Sequence, residues 1–245
     1  IRIDGKGHTI DARDLGRIFS IGEGFTVTLT NATLINGKAD KGGAIYNDGS
    51  LTLSDVKLSD NAADSYGGAV FNNGHLVVGN SVFDSNDVLN RGSASVDYGG
   101  AAIYNWYDGT LTVSGSTFKE NGGLYGAGIF VAGSDFTVSD CVFDKNTAFG
   151  KGNMTPNNNN GAAIVVTDTG KDITGAITGS NFTNNKAQYG GAIDICAGTI
   201  KITNSKFINN SADVEGGAID INALNGNPKV TISGSKFINN SAPLG

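Results

Sequence analysis

A right-handed parallel β-helix of about eight coils, each holding three short strands, is the fold that this 245-residue all-β sequence predicts. Three observations predict it. A G-G-A-I motif, sometimes with Ala for a glycine, returns with its last residue at Ile45, Val70, Ile103, Ile129, Ile164, Ile193 and Ile219. A second motif, F-x-x-N, keeps in phase with it at Phe83/Asn86, Phe118/Asn121, Phe143/Asn146, Phe182/Asn185, Phe207/Asn210 and Phe237/Asn240. Several intervals between copies are 24 or 25 residues, as from Phe118 to Phe143. A unit this short cannot bury its own apolar face, whereas units stacked in register share one core. Propeller blades need roughly 40–50 residues and four strands, so the period argues against that alternative.

The first strand of each unit is the G-G-A-I segment. Its aliphatic residue points inward and stacks on its equivalents, and the glycines before it permit positive φ at a tight corner. The second strand is the S-L-T-L-S type, with apolar residues alternating across Leu51/Leu53, Leu111/Val113 and Ile200/Ile202. That period of two marks a strand with one buried face. The third ends in F-x-x-N, where the Phe residues form a second internal stack. Their Asn partners sit at a bend, and their amides can pair from coil to coil. Equivalent strands then pair in parallel about 4.8 Å apart, and parallel crossovers default to right-handed. Residues 1–24 read as an atypical first coil of a single domain spanning 1–245, itself a piece of a longer chain.

Composition narrows the function classes. Net charge is −6, so a phosphate-tracking groove is not expected, and neither is electrostatic docking on an anionic membrane. No apolar run approaches ~20 residues, so no membrane insertion by this segment is expected. Cys141 replaces a column of Ser or other small residues and reads as a corner filler. Cys196 follows inward Ile195 and is expected to face outward, too far from Cys141 for a disulfide. The sequence has no zinc spacing, nucleophile elbow or phosphate loop.

The residues that vary are the lead to function. If Ile45 faces in, the next residue faces out, and that column reads Tyr46, Phe71, Tyr104, Phe130, Val165, Asp194, Asp220. With Trp106 and Tyr107 beside Tyr104, the aromatic part reads as an exposed binding platform for sugar rings or an aromatic-rich partner. The alternative is a stack that only stabilises the sheet or lies under a loop. Two insertions, Asp87 to Tyr98 and Thr147 to Asn160, fall at one corner and could wall a groove above the aromatics. Asp194 and Asp220 stand in adjacent coils, near the ~5–5.5 Å separation of a retaining glycosidase. They are also the candidate calcium ligands, with Asp213 or Glu215 nearby; solvated carboxylates are the simpler reading. No other cofactor is expected.

The paired G-G-A-I and F-x-x-N motifs resemble those of chlamydial polymorphic outer membrane proteins. The opening IDGKGHTIDA, with RIFSI and FTVTLTNATLING, is closer to adhesin-like surface proteins of methanogenic archaea. The resemblance implies an extracellular, cell-surface location and attachment to a glycan or protein of another cell. It carries no catalytic residues to transfer. Pectate lyases and polygalacturonases share the scaffold only, so a polysaccharide-degrading enzyme using Asp194 and Asp220 is the alternative, and a ligand-free spacer the third.

Overall fold

The computed structural model describes residues 1–90, 98–148, 161–167, 170–223 and 226–244. It is a right-handed parallel β-solenoid of about eight turns, with no helix among the described residues. Three sheets run along the rod, of 16, eight and seven strands. The G-G-A-I strands form the eight-stranded sheet, as in Ile45–Asn47, Val70–Asn72 and Ile103–Trp106.

The other two faces are divided differently from the sequence prediction. The S-L-T-L-S and F-x-x-N segments lie in one sheet and are a single ten-residue strand at Thr26–Ile35 and Ser50–Ser59. A residue in left-handed conformation, such as Asn31 (φ 50°) or Asp55 (φ 56°), turns the chain within that strand without ending the sheet. The third face is made by short strands after the motif's Asn, such as Ala62–Tyr66 and Ser211–Glu215.

Register follows the repeat. Phe83, Phe118, Phe143, Phe182, Phe207 and Phe237 are successive partners. Their ring centroids are 4.7–4.9 Å apart and no pair is tilted by more than 7°. Strand spacing imposes this near-parallel stack, with burial rather than ring electrostatics driving it. The column from Ile45 to Ile193 is fully buried beside it.

Two polar ladders run through the same interior. From Asn61 to Asn210, each carboxamide donates 2.9–3.0 Å to the Oδ1 of the next coil's Asn. Each also donates to a carbonyl of the preceding coil, as Asn121 does to Phe83. The ladder ends at Gly37, whose N–H donates to Asn61 Oδ1. A second ladder joins Asn47, Asn72 and Asn105 at 2.6 Å and finishes on Ser134 Oγ. These are the last residues of GGAIYN, GGAVFN and GAAIYN. Two positions after the inward Ile, they face inward too. Period two along the strand places them there.

The glycine pair has two separate causes. Gly67 adopts φ +65°, and a Cβ on Gly68 would run into the carbonyl oxygens of Asp87 and Ala101. Cys141 takes the serine position expected of it. The Oγ atoms of Ser81, Ser116, Ser180 and Ser205 each donate to a carbonyl two residues back, and Cys141 Sγ does the same to Ser139 at 3.1 Å. Burial pushes its thiol up to about 11, so it stays protonated at neutral pH. Cys141→Ser restores the uniform column and its hydrogen bond, and is expected to shift stability in urea by no more than about 1 kcal/mol although the site is fully buried. A larger loss would mean that the site selects sulfur for its size.

Candidate functional site

The predicted outer column is real in register. Tyr46, Phe71, Tyr104, Phe130, Val165, Asp194 and Asp220 are successive strand partners. The rings stack, with centroids 5.1 Å apart for Tyr46–Phe71, 5.7 Å for Phe71–Tyr104 and 4.8 Å for Tyr104–Phe130. An open platform is nevertheless not what they make. Phe71 is 4 % exposed, Tyr104 1 % and Phe130 2 %.

The cover comes from the corner just before each glycine pair. Tyr66 meets Tyr104 edge-on at 4.7 Å, Tyr125 meets Phe130 at 6.4 Å, and Leu124 and Tyr98 pack into the same cluster. The sequence held a trace of this in its recurring Tyr-Gly, at Tyr66-Gly67, Tyr98-Gly99 and Tyr125-Gly126. Burying large rings on the outside of the coil gives the rod a second apolar cluster, separate from the lumen.

Three of the six predicted binding residues keep access to solvent. Tyr46 is half-buried under the Arg17 guanidinium, which lies 5.1 Å from its ring centroid. Arg17 is fixed there by donating to the carbonyls of Gly42 and Lys41, at 3.0 and 2.7 Å. Burial, and then the Asp48 carboxylate, raise the Tyr46 phenol above its ordinary value. Trp106 is 40 % exposed and stacks on buried Tyr104 at 5.9 Å. Tyr107 is half-buried beneath Lys171, whose Nζ stands 4.0 Å from the ring centroid and pairs with Asp108. Of the accessible aromatics, Tyr46 and Trp106 are thus held by the buried stack, through Phe71 and Tyr104, and Tyr107 by Lys171.

Asp194 and Asp220 come together as predicted, but not as an open pair. Asp194 is fully buried and Asp220 half-buried. Asn222 Nδ2 bridges them, 3.0 Å from Asp194 Oδ1 and 3.1 Å from Asp220 Oδ2. Cys196 donates to the same Asp194 oxygen at 3.4 Å. It does point away from the lumen, yet it is buried, and burial followed by Asp194 drives its thiol far up. The expectation of two solvated carboxylates side by side is corrected: alternation puts Asp194 outside the lumen, but it is covered there, and only Asp220 keeps contact with solvent. Of the two suggested extra calcium ligands, Asp213 and Glu215, Asp213 faces Lys186 at 3.7 Å. Among the described residues, no group of three or more His, Cys, Asp or Glu side chains is placed to hold a metal ion.

Of the two insertions, residues 91–97 and 149–160 lie outside the described residues. Their first residues, Asp87–Val88 and Thr147–Ala148, are short strands of the third face.

Residues 17–199 match the family model for the right handed beta helix region. Residues 204–222, which hold Phe207, Asn210 and the last glycine pair, match the Chlamydia polymorphic membrane protein repeat. No curated protein and no solved structure matches the chain.

Proposed function

The chain belongs to the right-handed β-helix family, and from that premise we propose that it is a rigid attachment segment displayed at a cell surface. The match to a polymorphic membrane protein repeat supports a surface-exposed repeat protein, and the resemblance to archaeal adhesin-like proteins points the same way. Its partner would be a glycan or protein on another cell.

One observation carries the attachment reading. The exposed apolar residues Ile1, Ile10 and Leu15 at one end, and Ile221, Ile232, Phe237, Ile238 and Leu244 at the other, belong to coils with an open face. Phe25, Leu89 and Trp106 are exposed as well, at 60, 43 and 40 %; Trp106 lies in mid-rod, where a neighbouring coil covers each side, and stacks on the buried Tyr104. An aromatic held out on a rigid stack loses little entropy on binding, which favours it as an anchor.

Binding of the labelled chain to a printed glycan array and to intact microbial cells tests this reading. Trp106→Ala is expected to weaken binding roughly ten-fold or more, with Tyr107→Ala intermediate. Tyr104→Ala is a poor probe, because it hollows the covered stack. Equal binding by wild type, Trp106→Ala and Tyr107→Ala would leave a display rod without this contact edge.

A further inference from the structure

We infer that the corner groove between Phe25 and Asp108 binds a neutral hexose-based glycan; this rests on the attachment reading above and names its ligand class. The groove arises from unequal corner lengths. Register aligns Ile21, Asn47, Asn72 and Asn105 before the corner, and Thr26, Ser50, His75 and Thr110 after it. Between those positions the second and third coils have only Asp48-Gly49 and Asn73-Gly74. The first coil has Gly22 to Phe25 and the fourth Trp106 to Gly109, two residues more in each case. Two long corners therefore flank two short ones.

The space between holds about 400 Å³. Its flanking corners stand three strand spacings apart, roughly 14 Å, which admits one or two sugar rings. The volume lies in the range of small-ligand sites, ~300–1,000 Å³. The floor is bare backbone. A Cβ on Gly49 would strike the carbonyl oxygens of Phe25 and Gly22, and one on Gly74 that of Gly49.

The lining has the chemistry of sugar recognition. Phe25, 60 % exposed, offers an aromatic ring to the C–H side of a pyranose. Asp48 is oriented by Asn73 Nδ2 at 3.1 Å and can accept from neighbouring hydroxyls. His75 uses Nδ1 on Thr110 Oγ1 at 2.5 Å, leaving Nε2 for a ligand. Asp108, tied to Lys171, closes the far side. Two carboxylates in a chain of net charge −6 oppose sialic and uronic acids, so the ligand is neutral.

Trp106, the chain's one tryptophan, stands two residues before the lining residue Asp108, so its fluorescence is read together with titration calorimetry, which detects binding wherever the ring points. The full chain is titrated with methyl glucoside, methyl galactoside, methyl mannoside, N-acetylglucosamine and lactose, and with sialyllactose and galacturonate as anionic counterparts. At least one neutral sugar is expected to give a saturable change. Phe25→Ala and Asp48→Ala, checked for unchanged thermal midpoints, are expected to weaken it about ten-fold, whereas Asp64→Ala on another face leaves it alone. No saturable change with any neutral sugar overturns the inference, as does wild-type binding by both groove variants or equal binding of the anionic sugars. Cell binding by Phe25→Ala and Asp48→Ala at wild-type level, or binding that survives enzymatic removal of cell-surface glycans, sinks the groove while leaving attachment standing. Absence of binding by wild type to every glycan and cell sinks both.

Discussion

Asn121→Leu is expected to destabilise the rod by roughly 3–6 kcal/mol, although the side chains are alike in size and the site is fully buried. The cost follows from what the substitution strands. Asn121 Oδ1 accepts from both the N–H and the carboxamide of Asn86, at 3.0 Å each. Its own amide donates to Phe83 O and Asn146 Oδ1, at 3.1 and 2.9 Å. Leucine removes all four bonds. Asn86 loses an acceptor for two donors and Phe83 O loses its amide donor, while Asn146 Oδ1 keeps only the residue-121 N–H at 3.2 Å. Each buried orphan costs about 1–3 kcal/mol, and water cannot replace the partner in a closed lumen. Asn240→Leu is the control. Its rung is half-buried at the last coil, so its loss is expected to stay near 1 kcal/mol. Urea denaturation followed by circular dichroism measures both, and equal effects would mean that the ladder ornaments the core without holding it.

The ladder also shows why so much of this fold was legible. In a solenoid, neighbours in space are one repeat apart in sequence. The Phe stack, the Ile45 column and the Asn61-to-Asn240 ladder could therefore be read by aligning the chain with itself. What lay outside a single column could not. Tyr66 and Tyr125 cover Phe71, Tyr104 and Phe130 because the third face folds back toward the G-G-A-I sheet. That approach depends on corner geometry, which the repeat period does not encode. Alternation places Asp194 on the outer side of its strand and carries nothing about what lies over it. Its cover includes Asn222, from the end of the next coil's strand. The groove fell between the two kinds of signal. Corner lengths were countable, but only the register from Ile21 to Asn105 reveals that two long corners bracket two short ones.

Phe143→Ala is expected to cost about 3–5 kcal/mol, and its more telling effect is on cooperativity. Phe143 stacks between Phe118 and Phe182, at 4.7 and 4.9 Å, and is wholly buried. Rigid strand spacing prevents the two flanking rings from closing on the vacancy. Gly128 lines the same space, where even a Cβ would meet the Phe143 ring at 3.1 Å, and it brings no side chain to fill the hole. The same truncation at Phe237, 48 % exposed and stacked on one side only, removes less buried area and leaves no enclosed cavity. About 1 kcal/mol is expected there. Stability in a linear array is a sum of coil terms and nearest-neighbour terms, so a lesion in the middle weakens the coupling between the halves. Phe143→Ala should therefore broaden or split the urea transition, with amide exchange accelerating first around Thr117–Lys119 and Asn181–Thr183. Phe237→Ala should leave one transition and fray only the last coil. If the central variant instead unfolds in one sharp step with exchange raised evenly along the rod, the coils are not coupled mainly through their neighbours. The stack would then be a passenger of the backbone ladder.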